Sequence, residues 1–127
     1  MAAILTRGLI LFAHGARDPR WAEPFERLRA KVQRARPDLP VALAYLELMT
    51  PDLDTAIDQL VAAGCGQLRV VPVFLGQGGH VRRDLPALID RAGARHSALV
   101  IELAQPVGEN DVVLDQIAAV CIDGLPS

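Results

Sequence analysis

Cysteine and long apolar runs are both scarce in this chain of 127 residues. Cys65 and Cys121 lie far apart, and neither a CxxC pair nor a histidine at zinc-finger spacing accompanies them. This argues against a disulfide framework and a structural zinc site, and we expect two buried thiols in a reducing cytoplasm. The apolar run Leu9–Ala13 behind Arg7 is too short for a signal peptide. No stretch reaches the ~18–20 apolar residues of a membrane span, so we expect a cytoplasmic protein.

A strong charge of one sign and the common nucleotide-binding motifs are also missing. The 13 basic and 15 acidic side chains give a formal charge of −2, so the chain lacks the general basic field that nucleic-acid binding needs. The glycines of Gly76–Gly79 lack the GxxxxGK[ST] order, and HGARDP stands where a dinucleotide-binding protein has GxGxxG. We therefore predict no nucleic-acid partner and no nucleotide cofactor, and any anion recognition must be local.

The apolar residues that are present, 51% of the chain, are enough for one compact domain over residues 1–127. Four segments have the length and composition of strands: Leu9–Ala13, Val41–Leu48, the run that starts at Val70, and Ala98–Leu103. Segments with helical spacing of apolar residues separate them, and a last such segment follows. Strands that alternate with helices predict an α/β fold with a parallel or mostly parallel sheet of about four strands, flanked by helices.

Two of the predicted helices begin at sequences that contain proline. Asp18-Pro19 is a plausible cap followed by a first-turn proline, and Thr50-Pro51-Asp52 offers a cap, a first-position proline and a first-turn acid. Gly64 is a suitable end for the second helix. A third helix is expected to begin after Arg82 and Arg83.

Three side chains that can bind metals or protons fall at comparable places. His14 follows the first predicted strand, Glu47 lies near the end of the second, and His80 follows the third, with 33 residues in each interval. Carboxyl ends of parallel strands share one edge of a sheet, so the three could converge on one cleft. Each residue taken alone also fits a role without chemistry: His14 as a hydrogen-bonded strand terminator, Glu47 as a solvated charge and His80 as a loop residue. His96 lies in a turn at the opposite edge and is assigned no function.

Two imidazoles and a carboxylate are suitable ligands for a borderline divalent ion. Two or three protein ligands leave coordination positions open, which fits a site that gives another molecule access to the metal. Glu47 is therefore interpreted either as a third ligand beside His14 and His80 or as a proton acceptor.

Arginines and glycines adjoin these three residues. A loop held open by Gly78 and Gly79 leads to Arg82 and Arg83, and Arg17 follows the first strand. Guanidinium groups and the N–H groups at helix starts bind anions, and a ligand with several carboxylates fits this set better than a phosphate does. Ordinary solvated surface charge is the alternative interpretation of the arginines.

The segments LILFAHGARDP, LAYLEL, VVPVFLGQGGHVRRDLP and LAQPVGEN occur in this order and span nearly the whole chain. Together they resemble the small sirohydrochlorin cobaltochelatases, the CbiX-type members of the class II chelatases. The resemblance implies insertion of a divalent metal into sirohydrochlorin without ATP, on the way to cobalamin or a related tetrapyrrole. It also implies that His14 and His80 bind the metal and help to remove pyrrole protons, and that Glu47 matches an acidic residue of related chelatases. Ala16 stands where the family often has serine.

The resemblance further implies a homodimer with the macrocycle between the subunits, because one domain has only half the apparatus of the two-lobed chelatases. Cobalt is the family preference, although the same donors accept nickel and ferrous iron. Two other functions stay open at this point. One is a non-catalytic metal or tetrapyrrole carrier. The other is a hydrolase or phosphotransferase that uses His14 covalently, against which Ala13 counts, since an arginine is wanted there.

Overall fold

The computed structural model describes residues 6–76 and 78–127, with the exception of the His80 side chain. Four strands are present in it: β1 (Thr6–Ala13), β2 (Val41–Tyr45), β3 (Cys65–Pro72) and β4 (Val100–Leu103). The helices are α1 (Glu23–Ala35), α2 (Leu53–Ala62), α3 (Gly79–Arg95) and α4 (Asp111–Ile122). Short 3-10 turns at Pro19–Ala22 and Val107–Glu109 precede α1 and α4. No helix in the described part of the chain is long and apolar enough to cross a membrane.

The four strands form one parallel sheet, as predicted, and their order is β2-β1-β3-β4. The register places Leu11 of β1 between Leu43 of β2 and Val71 of β3. Because all four strands run the same way, the segments that leave their carboxyl ends meet at one edge of the sheet. The packing of the helices on the sheet holds this edge in place.

One face of the sheet is covered by α2 and α3. Ile10, Phe12 and Val70 on this face are fully buried, and Ile57 of α2 and Leu85 of α3 belong to the same core cluster. Complete burial of a side chain of this size contributes roughly 1.5–3 kcal/mol. This face therefore holds most of the core of the domain.

The opposite face is only partly covered. Trp21, just before α1, and Phe25, in its first turn, pack with Ala13 and Tyr45 over β1 and β2. Further along the sheet, no described helix covers the side chains that β3 and β4 present on this face. We call them the open sheet face; they are Gln67, Arg69, Val71, Val100 and Glu102.

Helix α4 is also poorly packed. It lies against the 3-10 turn that precedes it, and none of its residues is buried. The expectation of two buried thiols is accordingly wrong for Cys121, which is exposed because its helix has no partner in the described part of the molecule. Cys65 is buried at the start of β3, and burial raises the pKa of its thiol.

The structure corrects two predicted boundaries around β2. The strand ends at Tyr45 rather than Leu48, because the next residues form a turn in which the Glu47 N–H donates to the His14 carbonyl and Leu48 has a left-handed φ of +66°. The cap of α2 is Asp52, not Thr50, and Pro51 lies before the helix. The Asp52 carboxylate accepts a hydrogen bond from the Thr55 N–H at 2.9 Å, which satisfies one of the free donors of the first turn.

His96 connects α3 to α2 at the edge of the sheet opposite the carboxyl ends. Its Nε2 lies 2.6 Å from Oδ1 of Asp58, and Arg95 Nη2 lies 2.6 Å from the same oxygen. Hydrogen bonds from His96 and then Arg95 lower the pKa of the Asp58 carboxyl.

Asp58→Asn should therefore change the pH dependence of stability. A carboxyl whose pKa is depressed in the folded state stabilises the fold above its ordinary value near ~3.9, and this contribution is lost as the pH falls through the lower, folded value. We expect the variant to have a smaller free energy of unfolding at pH 7 and the difference from the native chain to shrink below about pH 4. Urea unfolding across this range measures it, and a difference that stays constant to pH 2 would contradict the assignment.

Candidate functional site

His14 is the first residue after β1, at the carboxyl edge of the sheet. Its half-buried imidazole stacks on the ring of Phe74, with 4.1 Å between the ring centroids and 26° between the planes. Phe74 is buried and follows β3 by two residues. The stack therefore helps to fix the orientation of the imidazole at the carboxyl edge of the two central strands.

The backbone of Glu47 packs directly against the turn that follows β1. The Glu47 N–H donates to the His14 carbonyl at 3.0 Å, and the Leu46 N–H donates to the Ala13 carbonyl at 2.8 Å. Gly15 has φ +92°, and a Cβ atom added there would lie 1.8 Å from the Glu47 carbonyl oxygen. His14 and Glu47 are thus neighbours through their backbones, and the side chain of Glu47 is exposed.

The segment that leaves β3 is anchored on both sides. The Val73 N–H donates to the Phe12 carbonyl at 2.7 Å, and the Gly108 N–H donates to the Phe74 carbonyl at 2.9 Å. A Cβ atom at Gly108 would lie 1.8 Å from the Leu75 carbonyl oxygen. Phe74 is consequently fixed between β1 and the turn after β4.

The structure corrects the predicted start of the third helix. His80, Arg82 and Arg83 were expected in a loop, but α3 begins at Gly79 and includes all three in its first turns. Gly78 is the N-cap in an extended conformation, and its carbonyl accepts the Arg82 N–H at 3.1 Å, so helical hydrogen bonding starts earlier than the apolar pattern indicates. The backbone of His80 thus lies in the first turn of a helix that begins at the edge carrying His14. The side chain of His80 is outside the described part of the structure.

The predicted ligand set stays a prediction. Among the described side chains, no three of the types His, Cys, Asp and Glu are grouped closely enough to hold a metal ion. That search does not include the side chain of His80, which is one of the three predicted ligands. The structure brings together the backbones of His14 and Glu47 and places His80 in the helix that starts at the same edge.

The predicted substrate-binding arginines lie on two sides of this edge. Arg17 lines a cavity of about 320 Å³ together with the segment that follows β2. Arg82 lines a cavity of about 290 Å³ with Gln105 and Pro106, and its Nη2 lies 3.7 Å from Oε1 of Glu109. Arg83 donates from Nε to the Gly79 carbonyl at 3.2 Å. The N-cap Gly78 supplies no side-chain hydrogen bond to the start of α3, so the backbone N–H groups there suit an anion.

Two residues of this edge were not predicted from the sequence. Phe74 supplies the ring on which His14 stacks, and Glu109 supplies the carboxylate that faces Arg82. The signal for Phe74 was an aromatic residue just past a strand end in a chain with three phenylalanines. No local pattern marks Glu109, because its partner lies on a different helix.

Phe74→Leu should impair the predicted role of His14 more than it lowers stability. Leucine keeps most of the apolar volume, so we expect a loss of about 1 kcal/mol in the free energy of unfolding. The imidazole of His14 loses its stacking surface, and we expect turnover to fall about tenfold, since misplaced catalytic groups are costly. Phe12→Leu is the matched control, because Phe12 contacts Phe74 with ring centroids 5.9 Å apart and lies deeper in the core. Equal rate losses in both variants would show that general core packing, not the stack, is responsible.

The same fold is found in solved chelatase structures. The CbiX protein from Marinobacter aquaeolei VT8 superposes with a TM-score of 0.81 at 40% identity, covering 91% of this chain and 93% of that one. The sirohydrochlorin chelatase SirB from Bacillus subtilis subspecies spizizenii, solved in complex with cobalt, superposes with a TM-score of 0.76 at 25% identity. This match covers 94% of this chain and 51% of that one. The parallel sheet flanked by helices is thus the fold of these α/β chelatases.

Sequence comparison narrows this class to one family. The CbiX family model matches residues 8–122, and the chain belongs to the CbiX family. The sirohydrochlorin cobaltochelatase of Methanothermobacter thermautotrophicus is 34% identical over 82 residues, which are 65% of this chain and 57% of that protein. The family resemblance and the parallel α/β fold predicted from the sequence are both confirmed.

Proposed function

We propose that this chain inserts divalent cobalt into sirohydrochlorin without ATP, as a sirohydrochlorin cobaltochelatase of cobalamin biosynthesis. The observation that supports this most strongly is the family match over residues 8–122, because it includes every residue assigned to the site. The position of His14 at the carboxyl edge of the sheet agrees with the proposal.

The reaction replaces two pyrrole protons by a dication, so the site needs a metal ligand and a base close to the same ring nitrogens. A neutral imidazole serves as either one, and His14 and His80 take both roles in turn. Phe74 fixes the His14 ring, which reduces the reorganisation needed when the metal passes to the macrocycle. Glu47 either completes the ligand set or accepts a proton, since its carboxylate is exposed beside the His14 backbone.

The acid side chains around the macrocycle bind the arginines on the two sides of the edge. Arg17 serves the side near β2, while Arg82, Arg83 and the backbone at Gly78 and Gly79 serve the side near β4. The ion pair of Arg82 with Glu109 is long and exposed, so it contributes little to stability and a substrate carboxylate can replace Glu109. This arrangement suits a flat ring with carboxylates at its periphery.

The proposal includes a homodimer in the cytoplasm, with the macrocycle between the two subunits. Cobalt is preferred because relatives of this chain are named for cobalt insertion. Imidazole and carboxylate donors also accept nickel and ferrous iron, so the affinity order of the ions themselves does not select cobalt.

An anaerobic absorbance assay tests the proposal. Purified protein is mixed with sirohydrochlorin and, in separate reactions, with Co²⁺, Ni²⁺ or Fe²⁺. We expect conversion of the macrocycle spectrum to that of the cobalt complex, faster than without protein and over many turnovers. Binding of sirohydrochlorin or metal without turnover would indicate a carrier instead. Phosphate-ester hydrolysis that resists chelators and survives loss of His80 would indicate the covalent use of His14.

A further inference from the structure

Two large apolar side chains are exposed at the carboxyl edge of the sheet, one on each side of His14. Leu48 follows β2 and is 60% exposed, and Leu75 follows β3 and is 66% exposed. Strand β1, which ends just before His14, lies between β2 and β3 in the sheet. Single exposed leucines are common on protein surfaces, so the informative observation is their position on both sides of the candidate site.

Leu48 occupies a strained backbone position. Its φ is +66°, and the Met49 N–H donates to the Glu47 carbonyl at 2.8 Å, so the three residues form a γ-turn with Leu48 at its centre. This turn is rare, and glycine or asparagine adopts the left-handed conformation at lower cost than leucine. In the described part of the chain, Leu48 belongs to neither apolar core cluster. Packing within the domain therefore does not explain a leucine here, whereas strained residues are typical of segments that contact ligands.

The backbone of Leu75 is also held in place. Phe74, the residue before it, stacks on His14, and the Phe74 carbonyl accepts a hydrogen bond from the Gly108 N–H at 2.9 Å. The Leu75 carbonyl oxygen lies so close to Gly108 that a Cβ atom there would approach it to 1.8 Å. Both leucines thus project from fixed backbone, and a ligand that contacts them does not have to order these segments first.

A flat macrocycle is the occupant that fits the two leucines. Because one strand separates β2 from β3, the segments that carry the leucines lie roughly 10 Å apart, twice the ~4.8 Å spacing of neighbouring strands. A ring of four pyrroles covers such a span, and its centre then lies over His14. The faces of the ring are apolar and its acid side chains are at the periphery, so the leucines and the surrounding arginines contact different parts of it.

We propose that Leu48 and Leu75 contact the face of the tetrapyrrole and position its centre over His14. The inference rests on the proposed function, for which it names two specificity-determining residues. A binding site of this kind combines apolar contact area with a few polar groups that fix orientation, and the arginines supply the polar part. The leucines bind no metal, so they act on the affinity for the macrocycle and not on the affinity for the ion.

Absorbance titration of the full chain with sirohydrochlorin, in the absence of metal, tests the two contacts. Leu48→Asn and Leu75→Asn each remove an apolar side chain, and we expect each to raise the dissociation constant for sirohydrochlorin about tenfold. The double variant should lose about 100-fold, since two contacts this far apart act additively. Leu48→Met and Leu75→Met keep the apolar surface and should bind as the native chain does. The affinity for Co²⁺ alone, measured by calorimetry, should be the same in all of these variants.

Leu48→Asn also separates a contact with the macrocycle from a role in the fold. Asparagine adopts the left-handed conformation more readily than leucine, so urea unfolding should show equal or greater stability while binding weakens. A leucine that served only the fold would give lower stability with unchanged binding. Val100→Asn is the matched control, because Val100 is likewise 60% exposed but begins β4, at the opposite edge of the sheet. We expect it to bind sirohydrochlorin with the native affinity.

The outcomes distinguish this inference from the proposed activity. If the native chain binds sirohydrochlorin and inserts cobalt, unchanged binding in either asparagine variant would overturn the contact proposed for that leucine and leave the activity standing. A changed sedimentation coefficient in either variant would show that the leucine contacts a second copy of the chain, and would also overturn it. Binding that weakens as expected in a chain that inserts no cobalt refutes the chelatase proposal and keeps the contacts. A native chain that binds no sirohydrochlorin refutes both.

Discussion

His14→Ala and His80→Ala are each expected to reduce cobalt insertion into sirohydrochlorin by about 100-fold or more, the range that loss of a positioned acid–base group produces. Both residues are proposed to bind the incoming ion and to accept a pyrrole proton, so loss of either one removes a metal ligand and a base from the site. Initial rates from the anaerobic absorbance assay, with circular dichroism to show that the fold is intact, measure the effect.

His96→Ala is the matched control for both variants. It removes the remaining histidine of the chain, which contacts Asp58 at the opposite edge of the sheet. We expect full activity with a small loss of stability. Normal turnover in either His14→Ala or His80→Ala would remove the proposed role of that histidine.

Gly15→Ala is expected to lower both the stability and the activity of the protein. The left-handed backbone at φ +92° costs a residue with a Cβ about 1–2 kcal/mol, and the 1.8 Å approach to the Glu47 carbonyl forces a further backbone shift costing about 1–3 kcal/mol. We expect a loss of about 3 kcal/mol in the free energy of unfolding. Cobalt insertion should fall as well, because the shift separates His14 from Glu47.

Gly64→Ala separates the two causes. Gly64 also has a positive φ, +101°, but no described atom lies within 4 Å of a Cβ placed there. Only the conformational cost of about 1–2 kcal/mol should appear, with no change in rate. Equal losses of stability in the two variants, measured by urea unfolding, would mean that the contact with Glu47 is readily relieved.

The alternation of strands and helices was predictable from the sequence because burial controls it. The run Leu9–Ala13 of β1 is apolar on both sides, and the helices show one apolar face each, so periodicity identifies them. Strand β3 was predicted only from Val70 onward because its first half carries the polar Gln67 and Arg69. The same reasoning placed His14, Glu47 and His80 at one edge, since parallel strands end together. The confirmed fold follows from these regular features, whereas the confirmed family membership was indicated by the four ordered segments that resemble the CbiX-type chelatases.

The details at the edge depend on contacts between distant segments, which a local pattern does not record. The end of β2 is set by the turn that bonds Glu47 to His14, and the stack of His14 on Phe74 requires two strands to be in place. The start of α3 at Gly79 was missed because glycines normally predict a loop. Apolar spacing predicted α4 correctly as a helix, but spacing does not show whether a helix has a partner.

The glycines that lead into α3 differ from Gly15 and Gly108 in the space around them. No described atom lies within 4 Å of a Cβ built at Gly76, Gly78 or Gly79, whereas Gly15 and Gly108 are held against carbonyl oxygens. Side chains can therefore be introduced at Gly76, Gly78 and Gly79 without steric conflict, but not at Gly15 or Gly108. An engineer who wishes to adapt this scaffold to a larger or less acidic macrocycle should randomise Gly76, Gly78 and Gly79 and leave the turns at Gly15 and Gly108 untouched.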